Sequence, residues 1–246
     1  MNPDAYIEMA ETESKHWWFA GRREILLHII KNLELPKDAK LLEVGCGTGG
    51  NLKMLSQFGE VSALEMDANA RIIASKKTNN LYDIRAGYCP NEIPFNSQTF
   101  DLICMFDVLE HIEQDTETLI AIRKLLKKNG KILITVPAYQ WLWGTHDEFL
   151  HHKRRYSATQ LRKKIIASGL NPMKISYFNT ILFPLAAIVR FKDKLFNKHS
   201  ATGTDIPPRT INTFFTNLFK YERFLLKHLN FPFGVSLLCI VNVSND

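Results

Sequence analysis

LLEVGCGTGGNL, residues 41–52, is an apolar strand that runs into a glycine turn and out into a helix. Gly45, Gly47 and Gly50 satisfy GxGxxG, the dinucleotide fingerprint, while Gly45, Gly47 and Gly49 equally satisfy GxGxG. The residue that separates the two readings is Glu43, two positions before the first glycine. A carboxylate beside a pyrophosphate is repelled, whereas one beside an ammonium and a sulfonium is attracted. Glycines let the backbone approach such a ligand without a Cβ in the way.

Outward from this turn, apolar runs of strand length alternate with segments of helical period, which is the pattern of a parallel sheet with helices on both faces. Strands are predicted at 39–44, 60–66, 81–85, 101–106, 131–136, 173–178 and 236–243. Helices are predicted at 20–33, 48–57, 68–77, 114–128 and 158–168, with Asn129-Gly130 ending the fourth as a C′ glycine. The expectation is one α/β domain over 1–246, Rossmann-like and doubly wound, with cap helices in 1–34. Between strands six and seven, residues 180–230 break the rhythm with two amphipathic segments. Ten of the sixteen phenylalanines fall in 178–233, so this insertion has an aromatic face, read as a packed cap over the domain or a surface for something greasy.

A chain of 246 residues with 46% hydrophobic content can bury a sizeable core. Its net charge of +6 attracts anions in general and is also ordinary for an enzyme. Cys46, Cys89, Cys104 and Cys239 are scattered and form no CxxC pair, which argues against a thiolate zinc site or a disulfide framework. The first residues lack an apolar leader, and ILFPLAAIV at 181–189 is too short to span a bilayer. A cytoplasmic enzyme is expected, with peripheral contact to a membrane or a lipid-linked substrate as the one extension.

Glu65 ends the second strand twenty residues after Gly45, where a carboxylate can accept hydrogen bonds from both ribose hydroxyls, and Asp67 is a neighbour that could share the role. FDLICMFDVLEHI (100–112) ends the fourth strand with Asp107, Glu110 and His111, at the end of a parallel strand that faces the ligand crevice. HDEFLHHKRRYS (146–157) follows the fifth strand and so lies at the rim where substrate enters. Helical spacing there pairs Asp147 with His151 and Glu148 with His152.

ExGxGxG, an acid after strand two and FDLxxxxDVLEHI together resemble the class I S-adenosylmethionine-dependent methyltransferases, over about 40–180 and in the family's order. The resemblance implies S-adenosylmethionine as cofactor, S-adenosylhomocysteine as product and an antiparallel last strand. It implies that Gly45, Cys46 and Gly47 line the methionine moiety and that Glu43 orients that loop or the amino group. Glu65 and its neighbour Met66 would hold the ribose end, and Phe106 and Asp107 the methionine end. Relatives often carry Gly-Asp where this chain has Gly87-Tyr88, so the adenine contact falls to backbone or to Tyr88. ESKHWWFAGRRE (13–24) is similar to a segment ahead of the core in bacterial members. Trp17 or Trp18 would roof cofactor or substrate. By similarity to quinone-precursor O-methyltransferases, Arg23 would bind the methionine carboxylate, with Arg22 in reserve.

Methyl transfer asks the protein to align acceptor, methyl and sulfur and to exclude water, and a hydroxyl acceptor also needs a general base. Candidates for the base are His111, His146, His151 and His152, with His146 and Asp147 read as acceptor-side groups. Arg154 and Arg155 are read as anion or structural anchors, and Tyr156 as closing the site. No metal is expected, although Asp107, Glu110 and His111 raise the alternative of a divalent ion. The acceptor is expected to be a small molecule, because strand four lacks the Asp/Asn-Pro-Pro-aromatic motif of base-amine methyltransferases. The competing readings are a catalytically inactive binding protein of this fold, an RNA or protein methyltransferase, and an NAD-type oxidoreductase, which leaves Glu43 without a role.

Overall fold

A computed structural model describes residues 3–196 and 205–243. Seven strands form one sheet: β1 (Lys40–Val44), β2 (Glu60–Glu65), β3 (Asp83–Ala86), β4 (Phe100–Phe106), β5 (Leu126–Pro137), β6 (Leu170–Phe178) and β7 (Ser236–Val243). Their spatial order is β3-β2-β1-β4-β5-β7-β6, with β7 antiparallel between β5 and β6. The connections reverse direction between β1 and β4, so the crevice beyond their carboxyl ends is the topological switch point, where ligands of such sheets bind.

Alternate residues of the central strands feed two cores. Leu42, Val44, Ile103, Met105, Ile132 and Ile134 pack on one face against α5 (Asp115–Leu125) and α7 (Ala158–Ala167), through Leu119, Ile122, Leu161 and Ile165. Leu41, Leu102, Cys104, Leu133 and Leu238 pack on the other against α2 (Trp17–Lys31), α3 (Leu52–Leu55) and α9 (Arg209–Leu226). Each fully buried Leu or Ile contributes roughly 1.5–3 kcal/mol. The remaining helices are α1 (Pro3–Thr12), α4 (Ala68–Lys77), α6 (Thr145–Phe149) and α8 (Phe183–Phe196). Residues 197–204 of the predicted insertion lie outside the described residues. Among the described residues no helix is long and apolar enough to cross a membrane.

Two expected boundaries move. The helix predicted to reach residue 128 ends at Leu125, where its last carbonyls are met by amides of the turn before β4: Gln98 N donates to Lys124 O at 2.9 Å and Thr99 N to Leu125 O at 2.8 Å. Gly130 therefore lies inside β5, at the irregularity between the Phe100–Leu126 and Leu102–Lys131 pairs, and is not a helix cap. The helix predicted over 48–57 shrinks to four residues, since the glycine loop keeps a left-handed path through Gly49.

Candidate active site

Neighbouring strands β1, β2 and β4 deliver the glycine loop, Glu65 and Asp107 to one crevice. Gly45, Gly47 and Gly49 have φ of +68°, +53° and +79°, a region that residues with a Cβ rarely adopt. A Cβ on Gly45 would also lie 2.7 Å from Val108 Cγ2, so this position requires glycine on two grounds. Buried Glu65 accepts from Gly47 N at 2.8 Å and Asp67 N at 2.9 Å. Each of its oxygens keeps a second lone-pair direction with which to accept from a ribose hydroxyl. Asp67 does not share that role as placed, because its carboxylate caps α4 by accepting from Ala70 N at 2.9 Å.

Glu43 lies beneath the loop. One oxygen accepts from Asn51 Nδ2 at 2.8 Å and the other has no hydrogen-bond partner. Burial pushes its carboxyl up to about 8, against the pull of that hydrogen bond. It ties the strand to the start of α3 and so holds the loop from below. Buried Cys46 lies within the same loop. The side chains of Met66 and Tyr88 are exposed at the far end of Glu65.

No sequence motif announced the roof of this loop. Met9 Sδ of α1 sits 3.9 Å from where Gly47 would carry a Cβ. Glu13, just past α1, accepts from Thr48 Oγ1 at 2.7 Å and pairs with Lys77 of α4. Tyr6 is buried near Glu65, Asp67 and Cys46, and burial together with these groups raises its phenol. The donor set fits a nucleoside bearing a cationic methionine end: a carboxylate for the ribose, a second buried carboxylate and glycines that admit close approach.

The two tryptophans divide as their adjacency required. Trp17 packs on α9, with ring centroids 5.5 Å from Phe215 and 5.9 Å from Phe219. Trp18 lies over the guanidinium of Arg22, 4.5 Å from its carbon, and Arg22 in turn pairs with Asp107. Arg22, not Arg23, is therefore the arginine brought to the end of β4. Successive residues of a helix point about 100° apart, and burial together with the neighbouring Arg22 lowers the Arg23 guanidinium from its ordinary value.

The acceptor side is assembled by the stretch after β5. His151 adopts φ of +56° beyond the end of α6, which breaks the expected i,i+4 pairing. His152, not His151, then meets Asp147, with Nδ1 2.8 Å from Oδ1. Asp147 is wholly buried and also accepts from Gly144 N at 2.9 Å and from Arg155 Nε and Nη2 at 2.8 and 2.9 Å. Burial alone would raise its carboxyl, but the hydrogen bonds from His152 and Arg155 hold it far below the usual range. Both oxygens of Asp147 are thus engaged, and one of them fixes the orientation of the His152 ring.

Arg154, Arg155 and Tyr156 are anchored by internal carboxylates, the structural anchoring expected for the two arginines. Arg154 Nη1 and the Tyr156 hydroxyl donate to Asp115 at 2.8 and 2.9 Å, and Arg155 is committed to Asp147. Tyr156 is buried, and its backbone joins the end of β5.

Three histidines converge here. The His152 ring lies 4.6 Å from His111 and 6.4 Å from His146, while His151 is exposed. Burial, with His152 beside it, lowers His111 to about 3, so its imidazole is neutral at physiological pH. Glu110 is fully buried with neither carboxylate oxygen hydrogen-bonded, and burial raises it well above its ordinary range. One ligand atom each from Glu110, His111 and His152 lie within 4.8 Å of one another, which could hold a metal ion. Asp107, expected as the third member of such a set, is instead paired with Arg22.

A family profile described as a methyltransferase domain matches residues 18–178. Among curated proteins the chain is similar to a sterol 4-C-methyltransferase of Caenorhabditis elegans, 29% identical over 135 residues, 51% of this chain and 40% of that protein. It is also similar to the mitochondrial ubiquinone biosynthesis O-methyltransferase of Schizosaccharomyces pombe, 25% identical over 152 residues, 54% of this chain and 53% of that protein. The chain spans about half the length of the curated relatives it matches. Among solved structures it resembles a chain of the complex between the Haloferax volcanii Trm112 methyltransferase activator and a methyltransferase. The TM-score is 0.65 at 16% identity, covering 99% of this chain and 96% of that one, a likeness of fold.

Proposed function

The chain belongs to the methyltransferase-domain family, of the class I S-adenosylmethionine-dependent type, and from that premise we propose that it methylates an oxygen or nitrogen of a small-molecule acceptor. The observation that carries the reading is a crevice with two chemically different walls. Glu65 and the glycine loop form one wall, and an aspartate-oriented histidine beside two further histidines forms the other.

Bound S-adenosylmethionine would supply an activated methyl on a sulfonium leaving group. Glu65 would accept from the ribose hydroxyls, Met66 and Tyr88 would border the adenine, and the Arg22–Asp107 pair and Phe106 would border the methionine end. Trp18 and α1 exclude water from above, which supports in-line displacement without hydrolysis. His152 donates through Nδ1 to Asp147, as its partner requires, and its Nε2, 3.9 Å from Glu110 Oε1, would take the acceptor's proton as the methyl–sulfur bond breaks and the new bond from carbon to oxygen or nitrogen forms. His111 and His146 would line the acceptor.

A thermal shift with S-adenosylhomocysteine and none with NAD is the expected result, followed by transfer of labelled methyl from the cofactor into the organic phase of a cell extract. A shift with NAD alone would overturn the reading in favour of an oxidoreductase. Label found only in RNA would overturn the small-molecule acceptor, and cofactor binding with no transfer to any fraction would favour the inactive binding protein.

A second reading of the acceptor wall is favoured by Glu110, whose two buried oxygens lack hydrogen-bond partners, an arrangement that costs a few kcal/mol unless the group is neutral or coordinated. In that reading Glu110, His111 and His152 would hold a divalent ion, which would supply Lewis-acid activation of the acceptor in place of a base. One experiment separates the two. If His152 is the base, His152→Gln lowers kcat by about 10²–10⁴-fold, with cofactor affinity unchanged, and a chelator has no effect on the parent protein. If an ion is held, the purified protein carries metal in near-stoichiometric amount, and the chelator removes metal and activity together.

A further inference from the structure

Helix α8 carries apolar side chains on its outward side as well as on its inward side. Its inward side, against the turn after β5, presents half-buried Phe183, Ala186, Ala187 and Arg190. A Cβ on Gly144 would lie 2.7 Å from Arg190 Nη1, so the arginine is packed close to that turn. The outward side carries Leu185, Ile188, Val189 and Phe191, which are 50%, 53%, 41% and 64% exposed. A surface helix normally turns polar side chains to water, and a cluster of large apolar side chains there marks an interaction surface. The matched family profile ends at residue 178, so this helix is not part of what the family match accounts for.

We propose that the outward face of α8 docks the protein on an anionic lipid bilayer. Charge selects this occupant. Lys192 is the exposed charged residue within the apolar face among the described side chains, and its stem can lie along that face while the ammonium reaches the headgroups. Beyond the inward-packed Arg190 the sequence of the helix, FKDKLF at 191–196, carries two basic residues against one acid, the bias of a helix that lies in the interface of an anionic membrane. The helix has 14 residues, too few to span the bilayer, so the geometry is surface-parallel. An aromatic path leads inward from the same helix. Phe191 stacks on Trp141 at 5.7 Å, and Phe183 reaches Trp141 and Tyr139 at 6.0 and 5.9 Å. That turn continues into α6 with His146 and Asp147, so docking sets the acceptor mouth against the membrane. The proposal rests on the small-molecule reading above and adds that the acceptor carries an apolar tail.

The test is sedimentation of the full chain with vesicles of equal parts phosphatidylglycerol and phosphatidylcholine, and with phosphatidylcholine alone. The expected result is binding to the anionic vesicles that weakens with salt, and binding roughly tenfold or more weaker for the double variant Leu185→Glu/Ile188→Glu. Both positions are exposed, so the variant should melt with the parent and keep its response to S-adenosylhomocysteine. Absence of binding to anionic vesicles, or equal binding by the variant, overturns the proposal. So does conversion of a parent dimer to a monomer by the variant without vesicle binding, which would make α8 a contact between copies of this chain. Because vesicle binding needs no methyl transfer, loss of the cofactor response would count against the functional reading alone.

Discussion

Replacing Asp147 with alanine is expected to destabilise the fold by about 3–5 kcal/mol, the cost of leaving a buried charge without its partner. The carboxylate receives both the Nε and Nη2 of Arg155, the ring nitrogen of His152 and the amide of Gly144. Arg155 is itself buried, and its other hydrogen bond is a 3.3 Å contact from Nη1 to Ala138 O. Without Asp147 its guanidinium would have to stay unpaired in a low-dielectric site or tear away from the end of β5. The melting temperature should fall by on the order of 10 °C for a chain of this size. Asp147→Asn keeps the shape and some of the hydrogen bonds and should fall between the two. An alanine variant that melts with the parent would mean that the ion pair is not closed in solution, and the positioning of His152 would lose its support.

The second large effect is expected at Glu65. Hydrogen bonds to a charged group contribute about 1.5–3 kcal/mol each, so losing two ribose contacts in Glu65→Ala should weaken S-adenosylhomocysteine binding at least about a hundredfold. The same carboxylate holds the amides of Gly47 and Asp67, so part of the loss would come from a loosened loop. Glu65→Gln separates the two contributions, because its amide retains one acceptor for a backbone N–H. It should recover stability more fully than affinity. Calorimetric titration returning the parent affinity for Glu65→Ala would mean the ribose is held elsewhere.

Much of the fold was legible because it is written in local periodicity. Strand alternation, the glycine turn and the acid at the end of β2 are short-range patterns, and each predicted strand has a counterpart within a few residues. The antiparallel seventh strand followed from family resemblance rather than from periodicity. Helix ends were less legible, and Gly130 shows why: Leu125 ends its helix where amides of Gln98 and Thr99, more than twenty positions away, meet its carbonyls. The stretch 146–157 shows the same limit at the site. Helical spacing pairs Asp147 with His151, but a left-handed residue at 151 delivers His152 instead. Nothing near Arg154 and Tyr156 in sequence announces that Asp115, some forty residues distant, accepts a hydrogen bond from each.

The sequence by itself determined the sheet, the glycine loop, the acid beyond it and the class of cofactor chemistry, because strand period, glycine freedom and charge near a turn act over a few residues. Tertiary structure alone decided that Arg22 rather than Arg23 meets Asp107, that His111, His146 and His152 share one wall, that α1 roofs the loop and that α8 turns an apolar face outward. Those outcomes depend on which buried polar groups find partners and which apolar faces are left uncovered once all the elements are packed, and no segment carries that information alone.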